Sequence, residues 1–124
     1  FQLSVAPSVL QGVVLSDSPQ SAETSSFNVE EGDVILVGTD GLFDNLSDDM
    51  ILHHVSKLKD HKLESVQRIA NALVKEANQL AFDPDYMSPF ALHAEEYGYE
   101  FKGGKPDDVT VVLSTVAQCE EPPT

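Results

Sequence analysis

The pattern of apolar and polar positions predicts strands first, then three helices, then a closing strand. Residues 1–5 alternate apolar and polar side chains as a half-buried strand does. Phe27 and Val29 alternate with polar neighbours, and a turn containing Gly32 leads into the unbroken apolar run of residues 34–37. We expect these residues to form a hairpin whose second strand is buried on both faces.

Capping residues and helical repeats predict the first helix. Ser47 is a typical N-cap, and Asp48 and Asp49 suit the positive end of a helix dipole. Apolar residues then recur from Ile51 at helical spacing, and the helix is expected to end near Lys59.

Two further helices are predicted after it. From about Glu64, apolar residues recur at three- and four-residue steps until Pro84 ends the pattern. Ser88 and Pro89 are a cap and a first-turn proline, and they begin a third helix that should end near Gly98.

The remaining segments complete an α+β fold. Residues 109–116 are rich in β-branched side chains and predict the closing strand. Residues 6–26 contain two prolines and six serines and predict a surface excursion between strands, while the tail 119–124 is expected to fray. Because the helices are grouped rather than alternating with strands, the order indicates α+β rather than βαβ units.

Charge and composition exclude several classes of partner. Seven Lys+Arg against 21 Asp+Glu give the 124 residues a formal charge of −14. Such a surface repels nucleic-acid backbones and anionic lipid headgroups. No apolar run approaches the roughly 20 residues that cross a bilayer. The single cysteine, Cys119, cannot form an internal disulfide, which suits a reducing compartment. We therefore expect neither nucleic-acid binding nor membrane insertion.

Two aspartates lie at the mouths of apolar strands. Asp40 follows residues 34–37, and Asp107 precedes residues 109–116. If these strands are antiparallel neighbours, both acids lie at one rim of the sheet. Close carboxylates repel each other unless a cation or proton lies between them, and hard oxygen ligands suit Mg²⁺ or Mn²⁺. The alternative is that both acids only cap turns, because Asp-Gly pairs are common there. Spacing alone does not decide between the two.

The residues around both aspartates resemble a known family. Residues 39–45 (TDGLFDN) resemble the (T/S/C)DG(L/I)(F/W)D motif of the metal-dependent type-2C protein serine/threonine phosphatases, the PPM family. Residues 104–111 (GKPDDVTV) are similar to that family's closing motif. Further stretches that begin at Phe1, Gly12, Asp83 and Gly103 are similar to the mitochondrial branch linked to coenzyme Q biosynthesis. The resemblance covers essentially the whole chain.

This resemblance implies a fold, a reaction and a set of ligands. The fold is an α-β-β-α sandwich with mainly antiparallel sheets, of which residues 1–124 would be the C-terminal portion, with the N-terminal half absent. The reaction is hydrolysis of phosphoserine or phosphothreonine in a phosphoprotein, by a water activated by two Mg²⁺ or Mn²⁺ ions. Asp40 and Asp107 would each give an oxygen to the same metal, and Asp44 would lie near an accessory metal. Asp108 stands where the family more often has Asn.

The same resemblance implies an incomplete site in a mitochondrial protein. The sequence has no second Asp-Gly at a strand end, and its one arginine, Arg68, lies within a predicted helix. We therefore expect the 124 residues alone to bind metal weakly and to be inactive. Open strand edges predict self-association of the chain.

The sequence also bears on two rival functions and on a candidate docking loop. A haloacid-dehalogenase mechanism needs an acid two residues after the first aspartate, where Leu42 stands. A non-catalytic pseudo-phosphatase or phosphoprotein-binding regulator remains the alternative. Tyr86 and Met87 are a candidate docking loop, because a loop with two prolines is pre-ordered and exposed.

Several residue types favour structural rather than functional roles. Solvated loop positions are the preferred interpretation of Lys102 and Lys105, with phosphate contact as the alternative. Asn45-Leu46-Ser47 fits a glycosylation acceptor pattern, which chance explains better in a chain without secretory features. The histidines are expected to be structural or solvated; they are His53, His54, His61 and His93.

Overall fold

The computed structural model describes residues 8–10, 13–15 and 18–119. In chain order the strands and α-helices are β1 (Ser8–Leu10), β2 (Val13–Leu15), β3 (Val34–Gly38), α1 (Asp40–Phe43), α2 (Asp48–Val55), α3 (Leu63–Ala81), α4 (Pro89–Glu96) and β4 (Val111–Thr115). Strands, grouped helices and a closing strand confirm the predicted α+β class. The predicted strand at residues 1–5 and most of the predicted frayed tail lie outside the described residues.

The two strands predicted to flank the candidate site are neighbours. β3 and β4 pair antiparallel, with Val34 opposite Thr115 and Gly38 opposite Val111. The predicted hairpin is wrong, because residues 27–29 form no strand and Phe27 is 76% exposed. The partner of β3 comes instead from the far end of the chain, which local alternation cannot reveal.

The prediction that β3 is buried on both faces is also wrong. Burial alternates along the strand: Ile35 and Val37 are exposed, whereas Leu36 packs against the core. β4 shows the same alternation, with Val112 exposed on the outer face. Among the described residues, the helices cover only one face of this two-stranded sheet. An unbroken apolar run therefore did not mean two buried faces.

A small hairpin lies within the segment predicted as a surface excursion. β1 and β2 pair antiparallel, with Ser8 opposite Leu15. The apolar residues from Val13 thus find a strand partner nearby, which the proline and serine content of the segment obscured. Residues 18–26 are exposed, as predicted.

The core forms where α3 crosses the inner face of the sheet. Ile69, Leu73 and Ala77 lie on one stripe of α3 and pack with Leu42 and Ile51. Burial of this stripe explains why a helix of 19 residues forms here. The predicted long helix is confirmed.

None of the helices in the described part of the chain is long and apolar enough to span a bilayer.

Both predicted serine caps are present. The Ser47 hydroxyl accepts a hydrogen bond from the Met50 amide at 3.3 Å and begins α2. The buried Ser88 hydroxyl accepts from the Ala91 amide at 3.0 Å and donates to the Gly103 carbonyl at 2.7 Å. The boundaries differ slightly, because α2 ends at Val55 rather than near Lys59, and β4 spans Val111–Thr115 rather than residues 109–116.

The chain between α3 and β4 closes on itself around α4. The Gly104 amide donates to the Asp83 carbonyl at 3.0 Å, and Met87 forms a parallel bridge with Gly103. Gly103 has φ of +112°, a conformation that favours glycine. These contacts return the chain to the start of β4 at a defined point.

Candidate metal centre

Asp40 lies at the first position of a one-turn helix, α1, which Thr39 alone separates from the end of β3. Thr39 is extended with φ −78° and ψ 167°, and the Asp40 carbonyl accepts the Asp44 amide at 2.8 Å. The strand ends at Gly38, and residues 40–43 continue as this helical turn. The turn leaves Asp40 exposed and buries Leu42 beneath it.

The segment before β4 runs beside this turn. The Thr39 amide donates to the Thr110 carbonyl at 3.0 Å, and the Thr39 hydroxyl accepts from the Thr110 amide at 3.0 Å. The same hydroxyl donates to the Asp108 carbonyl at 3.2 Å. The main chain next to Asp40 therefore lies beside the main chain next to Asp107 at one rim of the sheet. The metal hypothesis requires this arrangement.

The two aspartates offer donors that suit a hard cation. Asp40 and Asp107 are both exposed, and one Asp107 oxygen accepts the Asp108 amide at 2.8 Å. Carboxylates of this kind are ligands for Mg²⁺ or Mn²⁺. The part of the chain that the structure describes contains no group of three or more His, Cys, Asp or Glu residues placed to hold a metal. These residues fit the chemistry of the ion and supply only a portion of a ligand set.

Asp44 and Lys105 form an ion pair next to this rim. The Lys105 Nζ lies 3.4 Å from Asp44 Oδ2 and 4.5 Å from the centroid of the Phe90 ring. Lys105 is thus not the freely solvated lysine that the sequence favoured, because a carboxylate and an aromatic face both hold its ammonium group. Lys102 agrees better with that prediction. Its Nζ lies 3.6 Å from Asp85 Oδ1, but the Lys102 side chain is still 62% exposed.

Asn45 is a residue of the site that sequence reasoning missed. Its side chain is fully buried and makes three hydrogen bonds to the main chain, one to Gly41 and two to Lys105. Its neighbours in sequence are Asp44 and Leu46, so the local pattern gave no signal that this amide would be buried. Its full burial agrees with the prediction that the acceptor pattern arises by chance.

Tyr86 is attached to this cluster through its hydroxyl group. Its hydroxyl donates to the Asn45 carbonyl at 2.8 Å and lies 3.3 Å from the Met50 sulfur. Burial raises the pKa of the Tyr86 hydroxyl above its ordinary value, and the nearby charge of Glu76 acts in the same direction. The Tyr86 hydroxyl is thus engaged within the fold, whereas Met87 stays exposed, and a docking role for this loop stays a prediction.

The histidines occupy the structural and solvated positions predicted for them. His54 is buried on α2, and its Nε2 lies 3.0 Å from Glu76 Oε2 on α3. His53, His61 and His93 are exposed. His54 therefore links two helices rather than contributing to the candidate centre.

Comparison with known proteins identifies related sequences. A family model described as Stage II sporulation protein E (SpoIIE) matches residues 5–117. The chain is 55% identical over 118 residues to the protein phosphatase PTC7 homologs of Xenopus laevis and Homo sapiens, covering 95% of the chain and 40% and 39% of those proteins. It is 43% identical over 118 residues to the PTC7 homolog fig of Drosophila mojavensis, covering 94% of the chain and 38% of that protein.

A solved structure has a similar fold. The X-ray structure of the photosystem II phosphatase PBCP matches with a TM-score of 0.69 and 28% identity, over 83% of this chain and 45% of that one. The chain thus spans 40% or less of the length of the curated relatives named above.

Proposed function

Because the chain belongs to the PPM-type phosphatases, which include the SpoIIE family, we propose that it provides part of the active site of a metal-dependent protein serine/threonine phosphatase. The observation that carries this proposal is the meeting of the β3 end and the β4 approach at one rim, through the hydrogen bonds between Thr39 and Thr110. In this arrangement, Asp40 and Asp107 come from segments that lie side by side.

The reaction is hydrolysis of a phosphoserine or phosphothreonine ester. A water oxygen attacks phosphorus, the bond from phosphorus to the side-chain oxygen breaks, and the products are inorganic phosphate and a free hydroxyl group. Two bound Mg²⁺ or Mn²⁺ ions would lower the pKa of the attacking water and offset the negative charge of the phosphate. No covalent phosphoenzyme is part of the proposal.

The described residues have separate roles in this scheme. Asp40 and Asp107 would each contribute a carboxylate oxygen to the same ion, and both are exposed to the solvent from which ions and substrate arrive. Thr39 holds the two segments together through its amide and its hydroxyl. Asp44 would act near an accessory ion, and the ammonium group of Lys105, 3.4 Å from Asp44 Oδ2, would compete with that ion for the carboxylate.

The proposal extends to the context of the chain. A phosphoprotein substrate and a mitochondrial location follow from the resemblance noted in the sequence, and residues 1–124 would be a C-terminal portion of one catalytic domain. We also propose that these residues alone are inactive and tend to self-associate. The first point is supported by the small number of candidate ligands in the described part of the chain, and the second by the exposed apolar side chains of Val37 and Val112.

Hydrolysis of a phosphopeptide tests the proposal. In the complete polypeptide that carries this sequence, Asp40→Asn and Asp107→Asn should each reduce Mn²⁺-dependent turnover by at least ~100-fold, because the ions account for several kcal/mol of transition-state stabilisation. Asp85→Asn is the matched control, since Asp85 is an exposed acid in the loop before α4. The 124 residues alone should show no turnover with excess Mn²⁺.

Two results would overturn the proposal. Full activity of both Asn variants would remove Asp40 and Asp107 from the site. A complete polypeptide that binds the phosphopeptide without hydrolysing it would favour the regulatory alternative.

A further inference from the structure

We propose that Asn45 is a positioning residue that sets the spacing between the two acid-bearing segments and thereby the affinity of the site for its divalent ions. The inference rests on the proposed function, since it assigns Asn45 a role towards the same Asp40 and Asp107 centre. Asn45 is not itself a candidate ligand, because its side chain is fully buried and its polar atoms are already paired.

The Asn45 amide group connects the two segments directly. Its Nδ2 donates to the Gly41 carbonyl at 2.9 Å and to the Lys105 carbonyl at 2.9 Å. Its Oδ1 accepts from the Lys105 amide at 2.8 Å. A side-chain amide has two N–H donors, so both are used here together with the carbonyl oxygen.

The two partners of the Asn45 side chain lie close in sequence to the two candidate metal ligands. Gly41 follows Asp40 directly, and Lys105 precedes Asp107 by two residues. Asn45 and Lys105 are separated by 60 positions in the sequence, so no local turn fixes their distance. Groups that orient metal ligands from outside the ligand set change metal affinity strongly when they are removed.

An amide meets these requirements, whereas a carboxylate does not. Asn45→Asp keeps the size of the side chain but places an oxygen against the Gly41 and Lys105 carbonyls, which can only accept hydrogen bonds. Asn45→Ala leaves the same main-chain groups buried without a partner, at a cost of about 1–3 kcal/mol for an unsatisfied group. Both changes should loosen the segment before β4 at its contact with the turn that carries Asp40, while the Thr39 bonds to Asp108 and Thr110 remain.

The main chain of Asn45 is held by a different contact, which provides a matched control. The Asn45 carbonyl accepts the Tyr86 hydroxyl at 2.8 Å, and this bond does not involve the side-chain amide. Tyr86→Phe therefore weakens the same neighbourhood while leaving the connection between Gly41 and Lys105 intact. Comparison with Tyr86→Phe thus separates a general loss of stability from a change in the distance between the two acid-bearing segments.

Calorimetric titration with Mn²⁺ tests the inference in the complete polypeptide. Asn45→Ala and Asn45→Asp should weaken Mn²⁺ binding roughly 10–100-fold, as found for outer partners of metal ligands. Tyr86→Phe should leave the dissociation constant unchanged, although its unfolding midpoint falls. In activity assays, the Asn45 variants should need more Mn²⁺ and recover most of kcat when the metal is saturating. Asn45→Ser is the milder variant to use if the others do not fold.

The outcomes separate this inference from the proposed function. The Asn45 variants and Tyr86→Phe are compared at an equal fall in unfolding midpoint. If their dissociation constants for Mn²⁺ are then the same, Asn45 has only a structural role and the inference is wrong. Mn²⁺ binding that depends on Asn45 without any hydrolysis would overturn the proposed function and leave the inference standing. A wild-type polypeptide that binds no Mn²⁺ would overturn both.

Discussion

Gly41 lies so close to the main-chain carbonyl oxygen of Asp108 that a Cβ atom at Gly41 would overlap that oxygen. The same Cβ would lie 3.2 Å from Val109 Cγ2. Glycine is thus required here by space, where the turn that carries Asp40 passes the segment that carries Asp107. The main chain next to Asp40 and the main chain next to Asp107 are therefore in contact.

Gly41→Ala is therefore expected to separate the two segments. Because the obstacle is main chain rather than a flexible side chain, we expect a loss of about 1–3 kcal/mol in the free energy of unfolding, measured by urea denaturation of the complete polypeptide. The concentration of Mn²⁺ needed for activity should rise as well. Gly32→Asn is the control, because a Cβ at Gly32 meets no atom within 4 Å, so this variant carries only the strain of a side chain at φ +92°. Gly32 lies at the other end of β3 from the rim, so Gly32→Asn should leave the Mn²⁺ requirement unchanged. An equal rise in that requirement for both variants would contradict the steric explanation.

The Thr39 hydroxyl gives a second test of the rim. Thr39→Val keeps the shape of the side chain and removes the bonds to Asp108 and Thr110, so the free energy of unfolding should fall by about 0.5–1.5 kcal/mol. Thr39→Ser retains the hydroxyl and should stay close to wild type. Denaturant midpoints of the two variants measure the difference. If Ser and Val lower stability alike, the hydroxyl bonds contribute nothing.

Asp44 and Lys105 should have opposite effects on the metal requirement. Lys105→Met removes a cation 3.4 Å from the Asp44 carboxylate, so it should lower the concentration of Mg²⁺ needed for half-maximal activity. Asp44→Asn removes the carboxylate itself and should raise that concentration. Metal titrations of activity for both variants check the signs. A change in the same direction for both would show that the pair only supports the fold.

The Tyr86 hydroxyl predicts how stability depends on alkaline pH. Its pKa is raised above the ordinary 10.0, chiefly by burial, so the folded state holds this proton more strongly than the unfolded state does. This contribution is complete below the unfolded pKa and is lost as pH rises through the folded pKa. At neutral pH, Tyr86→Phe should cost about 1 kcal/mol through the lost hydrogen bond. Above pH 10, the denaturant midpoint should fall more steeply for wild type than for the variant, and parallel curves would refute this.

The helices were predictable because their signals are local. Ser47 and Ser88 lie one residue before their helices and cap them through the amides three positions later. The apolar stripe of α3 needs only the sequence of that helix to be recognised. The candidate acids were found for a similar reason, since Asp40 and Asp107 each lie next to a recognisable strand.

The errors arose where a long-range partner decided the structure. Residues 27–29 have the alternation of a strand, but β3 pairs with β4 at the other end of the chain. The outer face of β3 is exposed. An apolar run in the sequence does not show whether another element packs on that face. Asn45 was missed for the same reason, since its partner Lys105 is 60 positions away.

The closure of the chain around α4 has a consequence for how this region can change in evolution. Gly104 is joined to Asp83 at 3.0 Å, so the two ends of the intervening segment meet at a hydrogen-bonded neck. A segment whose ends are pinned together can gain or lose residues at its tip without altering the distance between the elements that it connects. Length variants of this segment should therefore accumulate at its exposed tip near Gly98, while the approach to β4 keeps its place.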